Sequence, residues 1–84
     1  MKSIAFKTIY TEDFKSIHDL MVSSDEASVF IISLNRKKVE AIAVFPHDIA
    51  TWNGGLNTLK IKPNDEIELK LVGINGRVLL KYKI

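Results

Sequence analysis

The segment from Leu59 to Ile84 most narrows what this chain can fold into. It reads Leu59-Lys-Ile-Lys-Pro-Asn-Asp-Glu-Ile-Glu-Leu-Lys-Leu-Val-Gly-Ile-Asn-Gly-Arg-Val-Leu-Leu-Lys-Tyr-Lys-Ile84. Apolar and charged residues alternate, break at a glycine-containing turn, and alternate again. A period of two puts one set of side chains in a core and the other in water, so Glu66 to Val72 and Arg77 to Lys83 form a β-hairpin. Neither strand carries a reactive group. A two-residue Asn75-Gly76 turn sets Lys70 opposite Lys81. A four-residue loop from Gly73 to Gly76 instead sets Glu68 opposite Lys81 and Leu69 opposite Leu80. Opposite charges across strands contribute roughly 0.2–1 kcal/mol each. The longer loop is therefore expected on charge, although Asn-Gly is the stronger local turn signal. Both registers keep the same face inward.

The rest of the chain mixes two periods. Ser3 to Tyr10 alternates and reads as a first strand. Thr11 offers a helix cap, and Glu12 and Asp13 suit the positive end of a helix dipole. Phe14, Ile17 and Met21 then recur at i, i+3, i+7, one stripe of a helix ending at Ser23-Ser24-Asp25. Ala27 to Leu34 is nearly all apolar, which is expected of a strand buried on both faces. Asn35-Arg36-Lys37-Lys38 is a polar turn, and Val39 to Phe45 a third strand. Pro46 and Asp48 suit a helix start, with Ile49, Trp52 and Leu56 in helical spacing and Gly54 as its cap near Asn53. Leu59 to Lys62 is a short strand or its approach, and Pro63-Asn64-Asp65 a turn. The expected class is α+β: a single mostly antiparallel sheet with two helices on one face, in the order β-α-β-β-α-β-β.

Size and composition bound the rest. Eighty-four residues, 46% hydrophobic and 26% charged, suit one small globular domain over residues 1–84. The absence of cysteine removes disulfides, thiolate catalysis and thiolate-bound zinc. The start, Met1-Lys-Ser-Ile-Ala-Phe-Lys7, has no apolar stretch of signal-peptide length, and apolar runs such as Val29 to Ile32 are far short of the roughly 20 residues a membrane helix needs. A cytoplasmic protein with no membrane contact is expected. A net charge of +2 is too balanced to demand nucleic acid by itself.

Candidate chemistry is sparse. His18-Asp19 and His47-Asp48 pair residue types used in metal binding and acid–base work. Neighbours on a helix point about 100° apart, so neither doublet makes a His–Asp pair. Ser23 and Ser24 have no base nearby and suit caps or turns. Gly54-Gly55 follows a helix and Gly73 to Gly76 joins strands, whereas phosphate loops lead from a strand into a helix. No metal, cofactor or catalytic residue is expected, and the chain reads as a non-enzyme.

Two stretches resemble known families. Val44-Phe45-Pro46-His47-Asp48-Ile49, with Leu59 to Leu69 and Gly76 to Lys81, is similar to the AbrB-type swapped-hairpin domain. That resemblance implies a dimeric DNA-binding regulator or antitoxin. Leu34 to Val39 and Leu59 to Gly73 resemble the hairpin and fourth strand of HPr-type phosphocarriers, which implies a β-α-β-β-α-β fold of similar length. The Gly-Leu-His-Ala-Arg-Pro motif that carries phosphate in that family is absent, so phosphorylation is not carried over to His18.

The expectation is a small non-catalytic protein-interaction or regulatory module. Its contact residues are expected to be Trp52, Arg36, Lys37 and Tyr10. A protein partner comes first. Nucleic acid, held by Arg36-Lys37-Lys38 and the strand lysines, is the alternative. A homodimer formed through an edge strand or the open sheet face is a further expectation.

Overall fold

The computed structural model describes residues 1–52 and 58–84. Among them are eight strands and no helix: β1 (Ser3–Tyr10), β2 (Lys15–Ser23), β3 (Ser28–Leu34), β4 (Lys37–Val44), β5 (Ile49–Thr51), β6 (Thr58–Ile61), β7 (Ile67–Gly73) and β8 (Val78–Lys83). They make two antiparallel sheets. Sheet A runs β1-β2-β5, with β6 also paired to β2, and sheet B runs β4-β3-β7-β8. One buried cluster joins them. Ile4, Ile17, Leu20, Val22 and Ile61 come from sheet A, Trp52 directly follows β5, and Phe30, Ile32, Val44, Ile67, Leu69 and Leu71 come from sheet B. The class is therefore all-β, and the α+β expectation with two helices is overturned. The β-α-β-β-α-β order behind the phosphocarrier resemblance is absent as well.

The first expected helix is β2, and a bulge explains the misreading. Ala5 pairs with Met21 and Lys7 with His18, so Asp19 and Leu20 together oppose Phe6. Asp19 sits at φ 53°, in the left-handed region that aspartate tolerates better than most residues. The extra residue turns a step of two into a step of three. Ile17, Leu20 and Val22 all reach the core, while Met21 is 44% exposed. A bulged strand thereby imitates helical spacing. Thr11 caps no helix and instead closes the β1–β2 turn: its backbone N–H donates to the Phe14 carbonyl at 2.8 Å, and its Oγ1 accepts from the Phe14 N–H at 3.1 Å.

The second expected helix is a turn followed by β5. The Asp48 N–H donates to the Phe45 carbonyl at 3.2 Å, with Pro46 second in the turn and His47 third at φ 65°. Proline followed by a positive-φ residue is the type II pattern. Proline here starts a crossover between sheets and no helix. Asn53, Gly54 and Leu56 lie outside the described residues.

The β7–β8 hairpin forms with Ile67, Leu69 and Leu71 inward, as alternation requires. Its register is not the one favoured by charge. Lys70 pairs with Lys81, Leu69 with Tyr82 and Glu68 with Lys83. Gly76 donates to the Gly73 carbonyl at 2.9 Å and lies at φ 84°, giving a three-residue loop with a glycine bulge. A second irregularity follows, because Val72 pairs with Val78 but Leu71 with Leu80. Turn chemistry outweighs cross-strand charge pairs worth roughly 0.2–1 kcal/mol each.

Two loops close the ends. Ser24 Oγ accepts from the Glu26 N–H at 3.1 Å, and the Ser24 carbonyl accepts from the His47 N–H at 2.8 Å, joining both crossovers. Beside them, a hydrogen bond from the Lys2 ammonium to Asp25 at 3.0 Å holds that carboxyl down at about 2. A depressed carboxyl favours the folded state above its ordinary titration range of about 4, and that contribution is lost as pH falls toward 2.

Two outcomes are expected. Asp19→Ile, a β-branched residue forced into the left-handed region, destabilises the fold by about 1–2 kcal/mol in chemical denaturation, whereas Asp19→Asn stays within about 0.5 kcal/mol. In a carboxyl-detected NMR titration Asp25 has its midpoint near 2, and Lys2→Met moves that midpoint upward.

Candidate functional site

The outer face of sheet B follows directly from its registers. Phe30 and Ile32 face the core, so Val29, Ile31 and Ser33 face out, and their partners face out with them. Ala43, Val29, Val72 and Val78 form one row across all four strands. Ala41, Ile31, Lys70 and Lys81 form the next. Lys38, Ser33, Glu68 and Lys83 form the third. The face thus grades from wholly apolar to cationic within three rows. No aromatic ring lies in these rows.

The apolar end is open to solvent. Val29 is 36% exposed and Val78 49%, and Ala41 and Ala43 are exposed too. This corrects the expectation for Ala27 to Leu34. The strand is interior to its sheet, but only Ser28, Phe30 and Ile32 are fully buried.

The cationic end continues into a groove of about 540 Å³ lined by Ser33, Arg36, Glu66, Glu68, Lys70 and Lys83, among others. Arg36 reaches it from the β3–β4 turn. Leu34 pairs with Lys37, leaving Asn35 and Arg36 as a two-residue loop at φ 52° and 68°. Positive φ at both positions is the type I′ turn, for which Asn-Gly is the preferred sequence. Arginine at the second position accepts strain that glycine would avoid.

Asn35 fixes the tip against the β6–β7 connection. Its backbone N–H donates to the Glu66 carbonyl at 2.8 Å, and its side-chain carbonyl accepts from the Glu66 N–H at 2.9 Å. Its amide donates to Asp65 at 3.0 Å, which lowers the Asp65 pKa, with help from the Lys62 backbone N–H. Counter-charges at the groove are loosely held. Arg36 lies 3.7 Å from Glu66, and Lys70 3.9 Å from Glu68. Among the described residues neither Lys81 nor Lys83 has a carboxylate within ion-pair distance.

Of the four expected contact residues, only Arg36 lies at this site. Lys37 pairs with Leu34 and so points to the opposite side from Lys38. Tyr10, 75% exposed, ends β1 in sheet A. Trp52 is 7% exposed in the core, and its indole N–H has no acceptor among the described residues. The lysines expected to act together are divided as well. Lys60 sits over the Phe14 ring at 5.2 Å in sheet A, away from Lys81 and Lys83. His18 contacts Ser16 at 2.7 Å within β2, while His47 lies in the crossover beyond the other end of that strand. Among the described residues no group of three or more metal-ligating side chains occurs. No helix there is long and apolar enough to cross a membrane.

Sequence reasoning missed Val29, Ile31, Val72 and Lys70. The available signal was the unbroken run Val29 to Ile32, which leaves an apolar outer face whether or not anything covers it. No family model matches the chain, and no curated protein and no solved structure matches it.

Proposed function

We propose that the chain is a non-catalytic interaction module that presents the outer face of sheet B to an acidic protein partner. The row order carries this reading: valines and alanines at one end, Lys38, Lys70, Lys81 and Lys83 at the other. An exposed apolar patch bordered by a net positive region, where Lys38, Lys70, Lys81 and Lys83 outnumber Glu68, suits a partner that buries side chains on the first part and sets carboxylates over the second. Arg36 supports it independently. A strained non-glycine residue at a hairpin tip is better accounted for by contact than by stability.

A second reading is favoured by one observation. Arg36, Lys38, Lys70, Lys81 and Lys83 all lie on or beside one face, as phosphate recognition requires. Against single strands stands the lack of a stacking ring in its rows. Titrating salt against random duplex DNA separates the readings. Micromolar binding with a steep negative salt slope favours nucleic acid, and no binding at low salt ends that reading.

The protein-binding reading predicts that Val29→Glu and the double change Lys70→Glu with Lys81→Glu each weaken partner capture at least tenfold. Lys62→Glu, outside the face, leaves capture unchanged, and circular dichroism shows all three folded. Equal recovery of the same partner by all variants overturns the assignment. Arg36→Gly raises stability by about 0.5–1 kcal/mol in denaturant titration while weakening capture.

A further inference from the structure

We propose that β1 is a docking edge for a second copy of this chain, paired antiparallel about a two-fold axis at Phe6. The surface is separate from the outer face of sheet B. The inference begins with how each sheet edge is finished. An open edge invites another strand unless charge, a bulge or short length discourages it. Among the described residues, β4 carries Lys37, Lys38 and Glu40 and an irregular register beside Ile32. At the opposite edge, β8 carries Lys81 and Lys83 and its own irregularity. The far side of sheet A is divided between β5, of 3 residues, and β6, of 4. Each of these edges has a device against pairing.

β1 has none. It runs 8 residues, pairs only with β2 among the described strands, and keeps its extra residue on the β2 side of the ladder. It contains no proline. Its one charge, Lys7, already lies 3.5 Å from Asp19. Ile9 and Tyr10 are 53% and 75% exposed at its end. An edge with so little charge holds nothing to select an unlike strand, whereas its own copy arrives with matching length and pattern.

Parity and charge choose the register. Continuing the sheet requires inward residues opposite inward residues, so paired residue numbers must sum to an even value. A sum of 14 sets Lys7 opposite Lys7. A sum of 12 keeps nearly the same overlap and sets Lys7 opposite Ala5, Ile4 opposite Thr8, Ser3 opposite Ile9 and Phe6 opposite itself. The second avoids the like-charge contact and places two aromatic rings together at the axis.

Ala5 is exposed, so it tests the register without disturbing the core. Analytical ultracentrifugation of the chain is expected to show a concentration-dependent dimer. Ala5→Lys creates two like-charge contacts and raises the dissociation constant about 2- to 30-fold, while Ala5→Glu lowers it. The chain has no cysteine, so a mixture of Ala5→Cys and Lys7→Cys proteins is expected to oxidise to the mixed dimer ahead of either homodimer. The cysteine pair carries the test even if Ala5→Lys fails to fold. A chain that stays monomeric to about 1 mM overturns the proposal. So do shifts of the same sign for both charge variants, or homodimers forming ahead of the mixed product.

Discussion

Sheet A is organised by a change of parity within one strand. β2 bonds to β1 along its whole length, while on its other side Lys15 to His18 pair with β6 and Met21 to Ser23 pair with β5. Asp19 and Leu20 lie between those two stretches. The left-handed residue at 19 lets the strand bend where it changes partners and keeps Ile17, Leu20 and Val22 on one buried surface. The Leu20 carbonyl accepts from the Trp52 N–H at 3.2 Å, so the same bend anchors the end of β5. In a regular strand Ile17 and Val22, separated by an odd number of residues, would face opposite sides, and one of them would turn to solvent.

That residue is also where the sequence misleads. A strand with a bulge and a helix both place apolar side chains three apart, and Phe14, Ile17 and Met21 do not distinguish them. Pro46 is ambiguous for a similar reason, since its fixed φ suits a helix start and a type II turn equally. By contrast, β1, β3, β4 and the β7–β8 hairpin were legible, β3 from its short unbroken apolar run and the others from alternation that is long or bounded by clear turns. The inward set of the hairpin was legible although its register was not, since every even shift keeps the same face buried. At the candidate site Arg36 could be read as a turn cation. The face behind it could not, because it is assembled from strands that meet only through long-range pairing.

The two sides of sheet B divide the work. The inner side supplies Phe30, Ile32, Leu69 and Leu71, each almost wholly removed from water, at about 1.5–3 kcal/mol per side chain. The outer side retains apolar residues that yield no such return in the isolated chain. Arg36 adds backbone strain at its tip. Asn35 makes that strain tolerable by bonding the tip to Asp65 and Glu66, so the guanidinium is delivered to the groove from a fixed support.

Trp52 gives the molecule a built-in optical gauge. It is the sole indole in the chain, nearly sealed within side chains drawn from both sheets. Its emission wavelength therefore records whether the two layers remain closed. Events confined to the exterior leave that colour in place, which separates a ligand settling on the surface from a body coming apart.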